Sequence, residues 1–200
     1  MGIVKADRSI LTCAALAAAC FGPALPAWTG ESRAPGVMIE HPTAKDCEWV
    51  EAQIPVAVKR YGNPDSGNVT LVRTNAELCR QDLVVESLVK SIAGKVAPYT
   101  GRGLGELFAA SHEAWRRQRI ATCGWSRAGN TGAFNWNHVE ELACMRDFGK
   151  RWEVRLKAFD SCVSAIEPSA TPDDYWAPAA DGIAGCSNHL DLLPADFVER

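Results

Sequence analysis

The chain has 200 residues, of which 47% are hydrophobic and 22% charged, and its formal net charge is −3. This composition is typical of a globular protein with one ordinary core, and it excludes wholesale disorder. The weakly acidic balance excludes the basic surface on which nucleic-acid binding depends. We therefore predict no nucleic-acid partner.

The first 27 residues have the pattern of an export signal. Lys5 and Arg8 precede an apolar run from Ile10 to Ala19, which is too short to span a bilayer. Cleavage after Ala27 removes two basic groups and one acidic group, so the net charge changes from −3 to −4. We expect a periplasmic or secreted protein without a later membrane span.

Two other interpretations of the N-terminus stay open. The segment 16–20 resembles a lipoprotein box with its leucine one place too far upstream, so the protein is alternatively a lipoprotein anchored through Cys20. In the other interpretation the chain is cytosolic and begins with an apolar helix.

Six cysteines follow the predicted signal. An even number in an exported chain predicts disulfides, and six residues allow fifteen sets of pairings. No two have the C-x2-C spacing of a zinc ribbon or a thioredoxin-like redox site. The disulfide candidates are Cys47, Cys79, Cys123, Cys144, Cys162 and Cys186.

The first part of the exported chain is predicted to be a leader followed by two helices. Residues 28–45 have no periodicity and are interpreted as a mobile leader before a single helical domain at 46–200. Asp46 is expected to N-cap a short helix that Pro55 limits or kinks. A turn-rich loop follows at 61–68. Thr74–Glu77 has the form of a capping box, which predicts a helix running to about Ala97.

A glycine-rich connection at 101–105 leads to a predicted helix from Leu104 to Cys123, with Gly124 as its C-cap. A further helix is expected from near Val139 to Cys162. The inward positions are predicted to be Leu104, Leu107, Phe108, Ser111 and Trp115 on the former, and Cys144, Phe148, Trp152, Leu156, Phe159 and Val163 on the latter.

The C-terminal part, residues 164–200, is rich in proline and glycine from Pro168 onward. It is interpreted as a loop-rich wrap that Cys186 pins to the helices. The predicted fold class is all-α: a small bundle of three to four helices with long loops, stapled by disulfides.

The segment from Cys79 to Phe159 resembles the LprI-type lysozyme-inhibitor-like domain of exported bacterial proteins. Trp115, Arg119 and Cys123 match the family's core run, in which a tryptophan, an arginine and a cysteine recur at steps of four. Cys79 matches the cysteine before the preceding helix. The remaining family-signature positions are Cys144 and Leu156, which match the cysteine and leucine of the last helix.

Several positions depart from the family pattern, which makes the chain a divergent member. His112 stands where the family usually has glutamine, and Ile120 stands in place of an aspartate. Gly149 and Trp152 replace a threonine and an arginine. The Asp-x-x-Leu-Asn run of the first helix survives only as Asp82.

The resemblance implies an exported, non-enzymatic protein that binds a lysozyme-like muramidase and blocks its substrate cleft. The alternative is a structural or interaction module of the cell envelope that has this fold and does not inhibit lysozyme. In either case Trp115 and Arg119 are interpreted as scaffold residues, a buried aromatic and a hydrogen-bonding cation.

The irregular stretch 125–138 is the candidate binding loop, because aromatic and amide side chains on a loop held by a rigid scaffold are typical of recognition surfaces. In the alternative interpretation its aromatic residues fold inward and cover the helices. The partner-binding candidates are Trp125, Asn130, Phe134, Trp136, Asn137 and His138.

The sequence predicts no catalytic residue, no metal site and no cofactor. His112 and Glu113 are adjacent, but Arg116 stands where an H-E-x-x-H zinc motif has its second histidine. A hydrolase that uses His112 or His138 is the most distant alternative.

Overall fold

A computed structural model describes residues 38–39, 41–129 and 134–190, without the side chains of 129, 134 and 135. The predicted signal at 1–27, Cys20, most of the predicted leader, Asn130 and the end of the wrap at 191–200 lie outside these ranges. The described residues contain five α-helices and no strand, which confirms the all-α prediction. The helices are α1 (Ala44–Tyr61), α2 (Gly67–Val96), α3 (Leu104–Gly129), α4 (Phe134–Ser164) and α5 (Pro178–Gly185), with 3-10 segments at Thr100–Arg102 and Cys186–Leu190.

The start of α1 differs from the prediction by one turn. Thr43 is the N-cap, and Asp46 is the third helical residue, whose carboxylate accepts a hydrogen bond from the Thr43 backbone N–H at 2.8 Å. The prediction of Asp46 as N-cap is therefore wrong, because it forms the second half of a capping box. The helix continues through Pro55, and Gly62 ends it in the left-handed conformation at φ 68°.

The predicted start of α2 at Thr74 is also wrong. The helix begins at Gly67 after Ser66, whose side chain accepts from the Val69 backbone N–H. Val69 and Val72 pack with α1, so tertiary contacts extend the helix well before the capping-box pattern. The observed end at Val96 agrees with the predicted end.

Helices α3 and α4 form a longer hairpin than the sequence indicated. Gly124 is not a C-cap, because α3 continues to Gly129, and α4 begins at Phe134 rather than near Val139. A Cβ on Gly124 would meet no neighbour, so this glycine sits in the helix without a packing role. Its cost of about 1 kcal/mol relative to alanine is offset by packing of the hairpin.

The core lies where α2, α3 and α4 meet, and α2 packs most extensively against α4. Leu107, which was predicted to face inward, is 61% exposed, so that prediction is wrong. The neighbouring side chains of Leu104 and Phe108 are buried, as expected for the inward side of an amphipathic helix. The largest buried side chains of this core include Leu104, Phe108, Trp115, Trp152, Leu156, Phe159 and Val163.

Three disulfides confirm the predicted stapling and settle the pairing: Cys47–Cys79, Cys123–Cys144 and Cys162–Cys186. The first joins α1 to α2, the second joins α3 to α4, and the third joins α4 to the final 3-10 segment. The wrap is less irregular than predicted, because α5 lies within it and buries Ile183. No described helix is long and apolar enough to cross a membrane.

Candidate functional site

The end of the α3–α4 hairpin carries the two exposed tryptophans of the predicted binding stretch. Cys123 is fully buried, and Trp125 lies two residues further along α3. Two residues rotate an α-helix by about 200°, so the indole of Trp125 points away from the core. Its side chain is 79% exposed, which is unusual for tryptophan.

Trp136 lies in the first turn of α4 and is 44% exposed. Both indoles therefore face solvent, contrary to the interpretation in which the aromatic residues fold inward; the side chain of Phe134 lies outside the described residues. Asn137 and His138 are partly buried beside them. The prediction of an irregular stretch at 125–138 is wrong in its extent. Helix α3 ends at Gly129 and α4 begins at Phe134, so only 130–133 lie between the two helices.

Two connections hold this hairpin end, which we call the tip (residues 123–129 and 134–144). The disulfide Cys123–Cys144 joins the helices with their Cα atoms 5.6 Å apart. Glu141 lies between Arg127 of α3 and His138 of α4, with its Oε2 3.5 Å from a nitrogen of each. The backbone under the exposed indoles is thus fixed by a covalent and an electrostatic connection.

A second polar group lies deep between α2 and α3. Asp82 accepts a hydrogen bond from Arg119 at 2.7 Å, and both side chains are almost completely buried. Arg119 also lies over the ring of Trp115 at 5.2 Å. Burial raises the pKa of Asp82, and the Arg119 guanidinium offsets part of that increase. This pair therefore fixes the register of two helices at a substantial desolvation cost.

His112 continues this group towards α4. Its Nδ1 accepts a hydrogen bond from Trp152 Nε1 at 3.2 Å, and its ring stacks on Trp115. The Nε2 atom lies 3.7 Å from Glu86 Oε1, which is too long for a hydrogen bond. The pKa of Glu86 is lowered, chiefly by this long polar contact with the His112 imidazole and further by the nearby Arg116 and His41, whereas burial opposes the shift. Because Trp152 occupies Nδ1, the neutral ring carries its proton on Nε2, towards the carboxylate.

The cavity beside these residues is too small for substrate chemistry. It has a volume of about 20 Å³ between Asp82, Glu86 and Trp115, with Met38 and Pro42 covering it. A volume of this size holds about one water molecule. Across the described ranges, no group of three metal-ligating side chains is arranged to hold an ion. The geometry thus gives no support to a hydrolase that uses His112.

No family model, curated protein or solved structure matches this chain. The lysozyme-inhibitor-like resemblance therefore stays a prediction. Among the described residues, Trp125 and Trp176 are the two most exposed tryptophans, and Trp125 is the one that lies on a hairpin of two long helices.

Sequence reasoning missed two features. The first is Asp82, which lies four residues after Leu78 and three before Val85 and is therefore on the buried face of α2. A carboxylate at such a position predicts a buried cationic partner, which in this structure is Arg119. The exposed pair Tyr175 and Trp176 gave no periodic signal, because it lies in a turn that is positioned only by tertiary contacts.

Proposed function

We propose that this chain is an exported, non-enzymatic binding protein whose tip enters the substrate cleft of a lysozyme-like muramidase. The observation that carries the proposal is the exposure of Trp125 in the last turns of α3, just after the disulfide that ties α3 to α4. An exposed tryptophan near the end of a helix hairpin can be buried in a concave enzyme surface. Tryptophan is enriched among residues that dominate binding energies.

The rigidity of the tip supports this proposal. Binding costs free energy when side chains and loops must be ordered. The disulfide Cys123–Cys144 and the contacts of Glu141 join the two helices of the tip, which lowers that cost. Two exposed indoles on such a support suit an inhibitor that blocks a cleft without covalent chemistry.

Charge is a weaker support. Cleavage after Ala27 leaves a net charge of −4, which favours encounter with a basic lysozyme. The predicted signal and the three disulfides are consistent with an oxidising compartment outside the cytoplasm. We propose a periplasmic or secreted location on these grounds.

The alternative is an interaction module of the cell envelope, and one observation favours it. Tyr175 and Trp176 are 54% and 76% exposed, and their rings meet edge to face at 5.0 Å. Arg102 bonds the Tyr175 carbonyl, which places this pair near the start of α3. Trp125 is 21 residues beyond Leu104, the first residue of α3, which is about 32 Å at 1.5 Å per residue. Two remote aromatic surfaces are consistent with a protein that bridges partners.

The test is lysis of a bacterial cell-wall suspension by lysozyme in the presence of the purified protein. We expect wild type to slow lysis and W125A/W136A to lose at least tenfold in potency, because both indoles leave the interface. W176A is the matched control, since it removes an equally exposed tryptophan from the other end. Undiminished lysis at a large excess of the wild-type protein would contradict the proposal. Recovery of a specific non-lysozyme partner through Trp176 would favour the bridging alternative.

A further inference from the structure

An open cleft of about 530 Å³ lies beside the C-terminal ends of α2 and α4, and none of the tip residues lines it. Its walls come from the end of α2 with the residues just after it, the end of α4, the segment that follows α4, and α5. Small-molecule sites in proteins usually have volumes of about 300–1,000 Å³ and mostly apolar walls. The principal apolar lining residues are Pro98, Tyr99, Val163, Ile166, Pro172 and Ile183.

The segments that form the walls of this cleft are connected to the rest of the fold by a disulfide and by a close backbone contact. The disulfide Cys162–Cys186 ties the end of α4 to the segment after α5. Gly101 packs so closely on the turn at 173–175 that an added Cβ would lie 2.6 Å from the Asp173 carbonyl oxygen. Proline residues in the wall restrict φ and remove backbone donors. These features oppose collapse of the apolar walls onto one another.

One side of the cleft is polar and carries an ion pair. Lys95 Nζ donates to Ser164 Oγ at 2.7 Å and to Asp160 Oδ1 at 2.6 Å. Among the described residues, Lys95 is the one charged side chain that lines the cleft, since Asp160 holds it from outside. Ser164 and Ser169 add hydroxyl groups to the lining. The cleft thus combines apolar walls with an ammonium that is paired with Asp160 and with the hydroxyl of Ser169, since the Ser164 hydroxyl donates to the Asp160 carbonyl.

We infer that this cleft binds a single-chain amphiphile with an anionic head group, such as a fatty acid. The apolar walls remove the alkyl chain from water, which favours binding in proportion to the buried area. The head group then lies at Lys95, whose ammonium has a third N–H to donate to the carboxylate besides those that bond Asp160 and Ser164. The Ser164 hydroxyl is not a second donor, because it donates to the Asp160 backbone carbonyl at 2.7 Å. This site is independent of the tip, so its test and that of lysozyme inhibition can fail separately.

The experiment is a calorimetric titration of the full-length purified protein with dodecanoate below its micelle concentration. We expect saturable binding with one site. Dodecyltrimethylammonium, which has a similar chain and the opposite charge, should bind at least tenfold more weakly. Equal affinity for the two amphiphiles would overturn the assignment of an anionic head group, and absence of dodecanoate binding would overturn the site.

Two variants locate the site. K95Q should weaken dodecanoate binding at least fivefold, whereas K157Q, which also removes a lysine paired with a carboxylate on α4, should leave it unchanged. S169F places a ring in the mouth of the cleft from a segment outside the helices and should abolish binding. Circular dichroism melting curves show whether each variant is folded. Wild-type affinity in folded S169F or K95Q would show that dodecanoate binds elsewhere.

Discussion

Removing the tip disulfide by C123A/C144A is predicted to cost both stability and binding. The two cysteines are 21 residues apart. The chain-entropy relation for a closed loop of that size gives about 3.3 kcal/mol at 25 °C. Cys123 is fully buried, so the lost sulfur contacts add to this cost. We therefore expect the free energy of unfolding to fall by about 3–4 kcal/mol.

The assay is urea unfolding followed by far-UV circular dichroism, with the free energy extrapolated linearly to water. The matched control is C162A/C186A, which opens a loop of similar length, 24 residues, at the other end of α4. The same relation gives about 3.4 kcal/mol for this bridge. The two variants should therefore lose similar stability. Only C123A/C144A should lose affinity for lysozyme, because only that bridge holds the tip.

Two results would refute this reasoning. A stability loss under about 1 kcal/mol for C123A/C144A would mean that the bridge does not restrict the unfolded chain as calculated. Equal loss of lysozyme affinity in both variants would mean that general destabilisation, rather than order in the tip, controls binding.

Three further predictions concern the scaffold. R119M should destabilise the protein by about 3–5 kcal/mol in urea unfolding, because Asp82 is left buried without its cation; D82L/R119M should recover most of that loss, and no recovery would contradict the pairing. The lowered pKa of Glu86 means that its carboxylate stabilises the fold above its ordinary pKa of about 4.3 and that this stability is lost as pH falls through the folded pKa. E86Q should therefore show a shallower fall in unfolding free energy on acidification, and parallel curves would contradict the contact. G101A should lower the melting temperature because of its 2.6 Å approach to the turn at 173–175, whereas G94A, whose Cβ meets nothing, should not.

The sequence predicted those parts of the fold that depend on local periodicity. The buried stripe at Trp152, Leu156, Phe159 and Val163 is where helical spacing placed it, and the even cysteine count led to three bridges. Helix ends were predicted less well, because packing between helices determines them. Gly124 has the residue type of a cap, yet hairpin packing carries α3 past it.

The candidate site could be predicted only in part, for a related reason. The sequence predicted that Trp125 and Trp136 lie in one segment between two cysteines. It did not predict on which side of a helix each indole lies. Trp125 faces outward because α3 continues beyond Cys123, and the sequence predicted that the helix ends at that cysteine. The pair Asp82 and Arg119 is separated by 37 residues, so no local pattern joins it.

The most direct test of cleft blocking is the affinity of the protein for lysozyme, measured by calorimetry with the enzyme cleft free and then filled by a saturating N-acetylglucosamine oligosaccharide. The proposed function predicts saturable binding to the free enzyme and at least tenfold weaker apparent affinity with the oligosaccharide present. Absence of binding to the free enzyme, or an affinity that the oligosaccharide leaves unchanged, would contradict it.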